Sequence, residues 1–277
     1  MLSNGCSKTL RVPEGIPRLL RDLIHDRTGI FFEDTRMDTL LEKLEPLAQK
    51  RGVQSFLDYY YALKDNEHAE WDQAWEALSV QETYFWREIL PINALTQVIV
   101  PEWFHKRSQP FRIWSAPCAT GEEPYTIAIA LAEAGFGSYP IEIAGSDASP
   151  MALKKAEAAV YREKSFRALP LGLRQKYFKP VDGGWKLSSE ITNRVKFTRV
   201  NLLETAEIVP LARAHVIFCR NVFIYFSAHA IRRTIATMAS KMPSGGYLFV
   251  GAAESLLRMT TDFELKDMAG ALAYQRL

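Results

Sequence analysis

The sequence lacks the features of an exported, membrane-spanning or metal-binding protein. It has three cysteines in 277 residues, Cys6, Cys118 and Cys219. An odd number without metal-ligand spacing argues against a disulfide scaffold or metal site and favours a reducing compartment. No run approaches ~18 consecutive apolar residues, so no membrane insertion is expected. The N-terminal segment before Ile16 contains no apolar stretch typical of a signal peptide. Together these absences predict a cytoplasmic protein.

An excess of charge of one sign is also absent. The chain has 34 Lys+Arg and 32 Asp+Glu, a net charge of +2. This excludes the strong positive field of a nucleic-acid-binding protein, so no nucleic-acid partner is expected. The charge is divided unevenly, because residues 1–90 carry −5 and the remaining residues +7. With 48% hydrophobic residues the chain can bury one large core or two modest ones, and the uneven pattern favours two domains.

The N-terminal part of the chain, 1–80, predicts a small all-helical domain. Apolar side chains recur there at the spacing of a helix in four separate stripes. The stripes begin at Ile16, Leu40, Phe56 and Trp71. We interpret the aromatic side chains among them as core packing.

From residue 111 onward, strand patterns alternate with helix patterns, which predicts a mostly parallel, doubly wound sheet. A closing hairpin is typical of the class I methyltransferase variant of this Rossmann-like fold. The predicted strands are 111–116, 141–144, 216–219, 247–251 and the hairpin 263–266 with 272–276, and the predicted helices are 125–134, 150–161 and 228–242. Pro124 is predicted at the first position of the first of these helices, and Ser149 and Ser227 as the N-caps of the other two.

The loop after the first strand, residues 116–124, indicates the kind of ligand. It contains one glycine, Gly121, and lacks the GxGxxG pattern that brings backbone amides to a pyrophosphate. Glu122 and Glu123 would repel phosphates, so a cationic ligand such as S-adenosylmethionine fits better. These carboxylates are equally explained as favourable charges at a helix N-terminus, and both interpretations remain open.

Asp147 ends the second predicted strand, downstream of the loop that contains Gly121. An acidic side chain at this place is the usual partner of ribose hydroxyls. The turn signal Ser149-Pro150 would explain a helix start but not the carboxylate. The loop and the aspartate together predict a nucleoside-type cofactor.

Several motifs along the chain resemble the chemotaxis receptor methyltransferases of the CheR family. The resemblance extends from about residue 16 to the C-terminus. Its segments are Glu82-Thr83-Tyr84-Phe85-Trp86-Arg87, Trp114-Ser115-Ala116 with Thr120-Gly121-Glu122-Glu123-Pro124-Tyr125, Ser146-Asp147, Asn201-Leu202-Leu203, Phe218-Cys219-Arg220-Asn221-Val222 with Ile224-Tyr225-Phe226, and Glu254.

The resemblance implies a domain organisation and an activity. It implies a helical N-terminal domain in 1–80, a linker in 81–110 that contributes to the cofactor site, and a class I methyltransferase domain in 111–277 with a small β subdomain around 177–200. The implied reaction is methyl transfer from S-adenosylmethionine to glutamate side chains on the cytoplasmic signalling domains of chemoreceptors, with S-adenosylhomocysteine as product. A methyltransferase of the same fold acting on another protein, or a cofactor-binding regulatory module, remains an alternative.

The resemblance also assigns site residues. Thr83 and Arg87 would bind the methionine part, Glu122 the amino-acid end or sulfonium, and Asp147 the ribose. Asn201 and Leu202 would lie at the adenine, and Arg220 and Asn221 would line the pocket. Tyr225 would be the catalytic residue near the transferred methyl. No general base is needed, because a glutamate is already ionised at pH 7. The implied cofactor-binding residues are Gln81, Thr83, Arg87, Glu122, Asp147, Asn201, Leu202, Arg220 and Asn221.

Four features depart from the family pattern or bear on partner choice. Gln81 stands where the family often has asparagine, and Trp86 where it often has phenylalanine. The helical domain of the family commonly docks on receptors through a basic face, whereas here this domain is net acidic. The short turn 181–185 predicts independence of a receptor C-terminal pentapeptide. The candidates for a basic docking face are Arg36, Lys43, Lys50 and Arg51.

Overall fold

The computed structural model describes residues 10–65 and 69–277. The sequence interpretation of Cys6 therefore lies outside the described residues. The chain divides between Ser79 and Val80 into two compact units.

The N-terminal unit is helical, and each predicted stripe becomes the buried side of one helix. Leu20, Leu40, Tyr59 and Leu63 are completely buried. A short 3-10 turn, Asp34–Arg36, leads into the second helix. The four helices are α1 (Ile16–Thr28), α2 (Met37–Arg51), α3 (Phe56–Asp65) and α4 (Ala69–Leu78).

The C-terminal unit contains a seven-stranded sheet in the order β6-β2-β1-β7-β8-β10-β9 and a three-stranded sheet in the order β3-β5-β4. The large sheet is parallel except for β10, which runs antiparallel to both of its neighbours. This confirms the doubly wound sheet that ends in an antiparallel hairpin. The strands are β1 (Phe111–Ser115), β2 (Ile141–Asp147), β3 (Val160–Tyr161), β4 (Phe178–Val181), β5 (Gly184–Leu187), β6 (Val195–Arg199), β7 (Val216–Phe218), β8 (Tyr247–Phe249), β9 (Phe263–Met268) and β10 (Ala271–Arg276).

Helices cover both faces of the large sheet. Ser149 and Ser227 cap two of them by accepting backbone N–H groups, as the sequence predicts. No helix in the described part of the chain is long and apolar enough to cross a membrane. The helices are α5 (Leu90–Ala94), which continues through the π-helical turn Leu95–Ile99 into α6 (Val100–Lys106), then α7 (Glu122–Glu133), α8 (Pro150–Ala158), α9 (Leu171–Tyr177), α10 (Ser189–Thr192), α11 (Thr205–Leu211) and α12 (Ala228–Lys241).

Two helices differ from the sequence prediction at their ends. Helix α7 begins at Glu122, so Pro124 occupies its third position and not its first. Helix α8 ends at Ala158 and not near Tyr161, because Ala159 adopts a left-handed conformation with φ 49°. The chain then enters β3, where Tyr161 pairs with β5.

The β insertion also has different bounds from those predicted. Its sheet extends over residues 160–187, whereas the prediction places it around 177–200. Residues Val195–Arg199 instead form β6, which pairs in parallel with β2 in the large sheet. A Cβ at Gly145 would lie 2.7 Å from the ring of Phe197, so the glycine of β2 makes room for this strand.

Candidate cofactor and active site

A pocket lies at the carboxyl ends of β1 and β7, the edge where doubly wound sheets bind ligands. Four residues predicted from the sequence line it together: Thr83, Arg87, Arg220 and Asn221. The pocket therefore joins the segment before α5 to the end of β7. Its other lining residues are Val80, Glu82, Tyr84, Ile92, Pro117, Cys118, Ala119, Glu123 and Thr126.

A buried guanidinium connects the elements around the pocket. The side chain of Arg220, just after β7, is 2% exposed. Its Nη1 donates to Oε2 of Glu123 over 2.8 Å. Its Nη2 donates to Oε2 of Glu88 over 2.9 Å and to the carbonyl of Arg87 over 3.1 Å. Glu123 lies on α7, Arg87 and Glu88 lie in the segment before α5, and Arg220 itself follows β7. The side chain of Arg220 therefore holds these three parts of the chain together.

Burial and charge compete within this ion network. Burial raises the pKa of Glu123, against the charge of Arg220 and hydrogen bonds from Ser115 and Arg220. Burial also pushes the pKa of Glu88 upward, but the hydrogen bond and charge of Arg220 outweigh it and the pKa is lowered. The two carboxylates keep the pKa of Arg220 above its ordinary value despite its burial. The contacts favour the ionised form of all three groups.

One carboxylate holds the loops after β7 and β8 together. Oε2 of Glu254 accepts the backbone N–H groups of Gly251 over 2.7 Å and of Asn221 over 2.8 Å. Its Oε1 accepts those of Phe223 over 2.7 Å and Ile224 over 3.3 Å. Four backbone donors on one anion fix the conformation of the loop that follows β7.

The same two loops depend on a close approach at Gly251. A Cβ there would lie 2.6 Å from Nδ2 of Asn221 and 2.9 Å from Oε2 of Glu254. Asn221 itself has φ 60°, a left-handed conformation that asparagine tolerates better than most residues. The loops are therefore built around one glycine and one left-handed asparagine.

Asp147 is half-buried at the end of β2 and braces the pocket loop. Its Oδ2 accepts the N–H of Ala119 and its Oδ1 that of Ser149, both over 2.9 Å. Gln81 approaches the hydroxyl of Ser149 with its Nε2 at 3.5 Å. Asp147 thus adjoins the pocket through Ala119, and Gln81 through its chain neighbours Val80 and Glu82, while the contacts of both residues with a cofactor remain predictions.

Glu122 is placed differently from its neighbour. Its side chain accepts hydrogen bonds from the hydroxyls of Thr120 over 2.6 Å and Ser165 over 3.0 Å, and the residue is 2% exposed. Burial raises the pKa of this carboxyl, against those hydroxyl bonds. Glu123, and not Glu122, lines the pocket. The predicted role of Glu122 at the amino-acid end of the cofactor stays a prediction.

Arg87 presents a guanidinium to the pocket. Its Nη1 donates to the carbonyl of Glu82 over 2.6 Å. Its Nε lies 3.9 Å from Oε1 of Glu88, and its guanidinium carbon 5.7 Å from the ring centre of Tyr84. A guanidinium has five N–H donors, and among the described residues we find one hydrogen bond from this group. Arg87 can therefore bind a ligand carboxylate through the remaining donors.

Like Gln81, Glu122 and Asp147, the other three predicted residues, Asn201, Leu202 and Tyr225, are not among the residues that line this pocket. Oδ1 of Asn201 accepts the N–H of Leu203 over 3.1 Å, which closes a local turn. Leu202 is 6% exposed and belongs to the core on one face of the sheet. Tyr225 is half-buried at the end of the 3-10 turn Phe223–Tyr225. Their roles at adenine and at the transferred methyl stay predictions.

The thiols of Cys118 and Cys219 are buried, with 1% and 0% exposure. Burial raises the pKa of both well above the ordinary value, so neither is an activated nucleophile. Cys118 nevertheless lines the pocket, where its small side chain leaves room for a ligand.

The sequence motifs do not assign site roles to Glu88, Glu123 or Glu254. A buried arginine requires acidic partners, so the strand-end position of Arg220 predicts that some carboxylates approach it. It does not say which ones, because Glu88 and Arg220 are 132 residues apart. Glu254 belongs to a family motif, but its bonds to backbone groups leave no pattern in the sequence.

Family models match both units. One described as "CheR methyltransferase, SAM binding domain" matches residues 81–271, and one described as "CheR methyltransferase, all-alpha domain" matches residues 18–79. The chain belongs to the CheR methyltransferase family. This confirms the resemblance seen in the sequence motifs, and the name of the larger domain supports S-adenosylmethionine as methyl donor.

Individual relatives cover most of the chain. Chemotaxis protein methyltransferase 2 of Vibrio cholerae is 34% identical over 92% of this chain and 91% of its own length. The chemotaxis protein methyltransferase of Salmonella typhimurium is 33% identical, covering 90% of this chain and 86% of that protein. Probable biofilm formation methyltransferase WspC of Pseudomonas putida is 31% identical, covering 91% of this chain and 60% of that protein.

Proposed function

We propose that this CheR family member transfers a methyl group from S-adenosylmethionine to glutamate side chains on the cytoplasmic signalling domains of chemoreceptors. The products are glutamyl methyl esters and S-adenosylhomocysteine. The observation that carries the proposal is the pocket that brings Thr83, Arg87, Arg220 and Asn221 together at the ligand edge of the sheet. The relatives named for chemotaxis support chemoreceptors as the substrate.

The residues around the pocket suit this methyl donor. Arg87 offers a guanidinium for its carboxylate. Asp147 and Glu123 supply negative charge beside a ligand that carries an ammonium and a sulfonium group. Gly121 is the one glycine of the loop after β1, so that loop lacks the glycine-rich cradle of a dinucleotide site.

The methyl transfer needs few catalytic groups from the protein. When bound, S-adenosylmethionine supplies an electrophilic methyl group on a sulfonium sulfur. When a carboxylate oxygen takes the methyl, the sulfur is left as the neutral thioether of S-adenosylhomocysteine. The acceptor carboxylate is ionised at pH 7 and needs no base. The chain therefore has to orient the two reactants and exclude water. The fixed loops after β7 and β8 provide rigid walls for that purpose.

The decisive experiment is incubation of the purified chain with methyl-labelled S-adenosylmethionine and purified receptor signalling domains. We expect label on the receptor that mild base releases as methanol, and loss of label when the target glutamates are replaced by alanine. Base-stable label would indicate another linkage. Label on a different protein would support the alternative substrate class. Absence of transfer, with S-adenosylhomocysteine binding in calorimetry, would support a regulatory module.

A further inference from the structure

The basic residues of the chain concentrate in one segment. Residues 151–200 carry 12 Lys+Arg and 4 Asp+Glu, a net charge of +8. Since the whole chain has a net charge of +2, everything outside this segment carries −6. The segment contains the three-stranded insertion and the 3-10 turn Glu163–Phe166. Such an excess of positive charge in an otherwise acidic chain favours an acidic partner wherever its cations are exposed and unpaired.

The turn Glu163–Phe166 lies against the pocket. The backbone N–H of Phe85 donates to the carbonyl of Ser165 over 2.9 Å. The guanidinium carbon of Arg167 lies 3.6 Å from the ring centre of Tyr84, which lines the pocket. The turn and the residues beside it therefore form part of the border of the pocket.

Three cations at this border are exposed: Arg162, Lys164 and Arg167, which we call the basic rim. The acidic side chains beside them are already paired, since Glu163 binds another arginine of the insertion and Glu82 binds Arg167 over 3.0 Å. In the described part of the chain we find no ion pair for Arg162 or Lys164. Their charges face solvent beside the pocket.

The basic residues of α2, in contrast, are engaged within the helical domain. Lys43 donates to a backbone carbonyl over 2.9 Å, Lys50 to a side-chain amide over 2.8 Å, and Arg51 to Glu70 over 3.0 Å. The guanidinium of Arg36 lies 5.9 Å from the centre of an aromatic ring. Docking through α2 stays a prediction from the family resemblance, and it would compete with these internal bonds.

We propose that the basic rim is the docking surface for an acidic receptor segment that surrounds the glutamate to be methylated; this inference rests on the proposed function. A glutamate side chain reaches only about 5 Å from its Cα. The backbone on either side of the target must therefore lie against the border of the pocket. Carboxylates near the target then meet Arg162 and Lys164, and their attraction raises the rate of association.

Methyl transfer itself weakens this attraction. Each ester formed removes one negative charge from the receptor segment. The rim therefore holds the unmethylated segment more tightly than the methylated one, which favours release of product. Because the rim is exposed, dissolved salt screens its attraction for charges that are more than about 8–10 Å away. The Michaelis constant for the receptor is therefore expected to rise with ionic strength.

The test is a double charge reversal, Arg162→Glu with Lys164→Glu, in the full chain. The matched control is Lys106→Glu with Arg213→Glu, two exposed cations next to the amino ends of β1 and β7. The probe is the signalling domain that accepts labelled methyl from the wild type. We expect the Michaelis constant for that domain to rise roughly tenfold in the rim variant and less than about twofold in the control.

Calorimetry with S-adenosylhomocysteine and a melting curve accompany the kinetics, and both are expected to match the wild type. An unchanged Michaelis constant in the rim variant, or equal losses in both variants, would overturn the inference. Weakened cofactor binding with unchanged receptor association would also overturn it. So would a rim variant that loses the binding of a labelled single-stranded RNA seen with the wild type but keeps its association with the receptor domain. If the wild type methylates no receptor, the proposed function itself fails, which is a distinct result.

Discussion

The two edges of the large sheet are closed by different interactions. At the carboxyl edge, Arg220 and Glu254 join separate loops through charged hydrogen bonds. At the amino edge, Trp103, Phe111 and His215 close the ends of β1 and β7 with rings, the centroid of Trp103 lying 5.2 Å from Phe111 and 4.2 Å from His215. One edge is fixed by directional bonds and the other by packing.

The two kinds of interaction differ in how precisely they fix the positions of the groups they join. Hydrogen bonds fix distances and angles, so a carboxylate that binds four N–H groups selects one loop conformation. Ring packing removes apolar area from water but tolerates small shifts. The edge that carries the pocket is thus the one whose loops are set by geometry, and its buried charges make it sensitive to single substitutions.

The largest effect is expected from Arg220→Met, because it leaves the carboxylates of Glu88 and Glu123 without their buried partner. Removing one member of a buried ion pair costs about 3–5 kcal/mol. Urea unfolding monitored by tryptophan fluorescence measures the loss. Arg112→Met at the amino edge is the control, since Arg112 pairs with Glu142 over 3.0 Å with side chains 51% and 62% exposed. A loss of less than about 1 kcal/mol is expected there. Equal losses in both variants would contradict the contrast between the edges.

The next largest effect concerns pH at the amino edge. Burial, with the positive charges of Arg112 and Arg107, lowers the pKa of His215 from 6.5 to about 4. The backbone N–H of Arg112 donates to its Nδ1 over 3.0 Å, which requires a neutral acceptor nitrogen. The unfolded chain therefore binds this proton more readily, and stability that is complete above pH 6.5 is lost as the pH falls towards 4. Between pH 7.5 and 4.5 the loss from this group is about 2.5 kcal/mol.

The variant His215→Asn tests this, because asparagine keeps an acceptor but does not titrate. Free energies of unfolding at pH 7.5 and 4.5 are compared for wild type and variant, so that titrations common to both cancel. We expect the wild type to lose about 2.5 kcal/mol more than the variant over this range. Parallel losses would mean that His215 titrates normally in the folded protein.

A smaller effect is expected from Glu254→Gln at the carboxyl edge. One oxygen becomes an NH₂ group that faces two backbone N–H donors, which leaves buried donors unsatisfied at a cost of about 2 kcal/mol. The loop carrying Asn221 loosens, so affinity for S-adenosylhomocysteine falls together with stability. Calorimetry and urea unfolding measure the two quantities. If stability falls and affinity does not, Glu254 supports the loops without setting the shape of the pocket.

The sequence predicts the architecture because its signals are local. Helical stripes such as the one from Ile16, and the caps at Ser149 and Ser227, each act within a few residues. The missed strand Val195–Arg199 shows the limit, since its place beside β2 depends on the room left by Gly145. That contact joins distant parts of the chain and has no local pattern.

The site, like the fold, is predictable where its residues lie in local sequence motifs and not where distant parts of the chain must meet. The motifs identify Arg87, Arg220 and Asn221, which the structure brings to one pocket. They single out Glu122, whereas the structure brings Glu123 to Arg220, because the two differ by one position on α7 and the packing around the helix decides which one reaches Arg220. Sequence motifs therefore indicate which chemistry is present, while partner choice among neighbouring carboxylates needs the fold.

The smallest effect is expected from Tyr225→Phe. The ring is half-buried, and in the described part of the chain we find no hydrogen bond to its hydroxyl, so stability is expected to stay within about 0.5 kcal/mol. If the hydroxyl orients the incoming carboxylate, its loss raises the activation free energy by about 1 kcal/mol. That corresponds to a roughly fivefold fall in kcat with unchanged cofactor affinity. The control at the amino edge is Tyr247→Phe, which removes a hydroxyl bonded to Gln275 over 3.1 Å and is expected to leave kcat unchanged. Initial rates with the unmethylated receptor domain that accepts labelled methyl, together with calorimetry, separate the two cases. An unchanged kcat in Tyr225→Phe would make Tyr225 a packing residue and remove it from the proposed site.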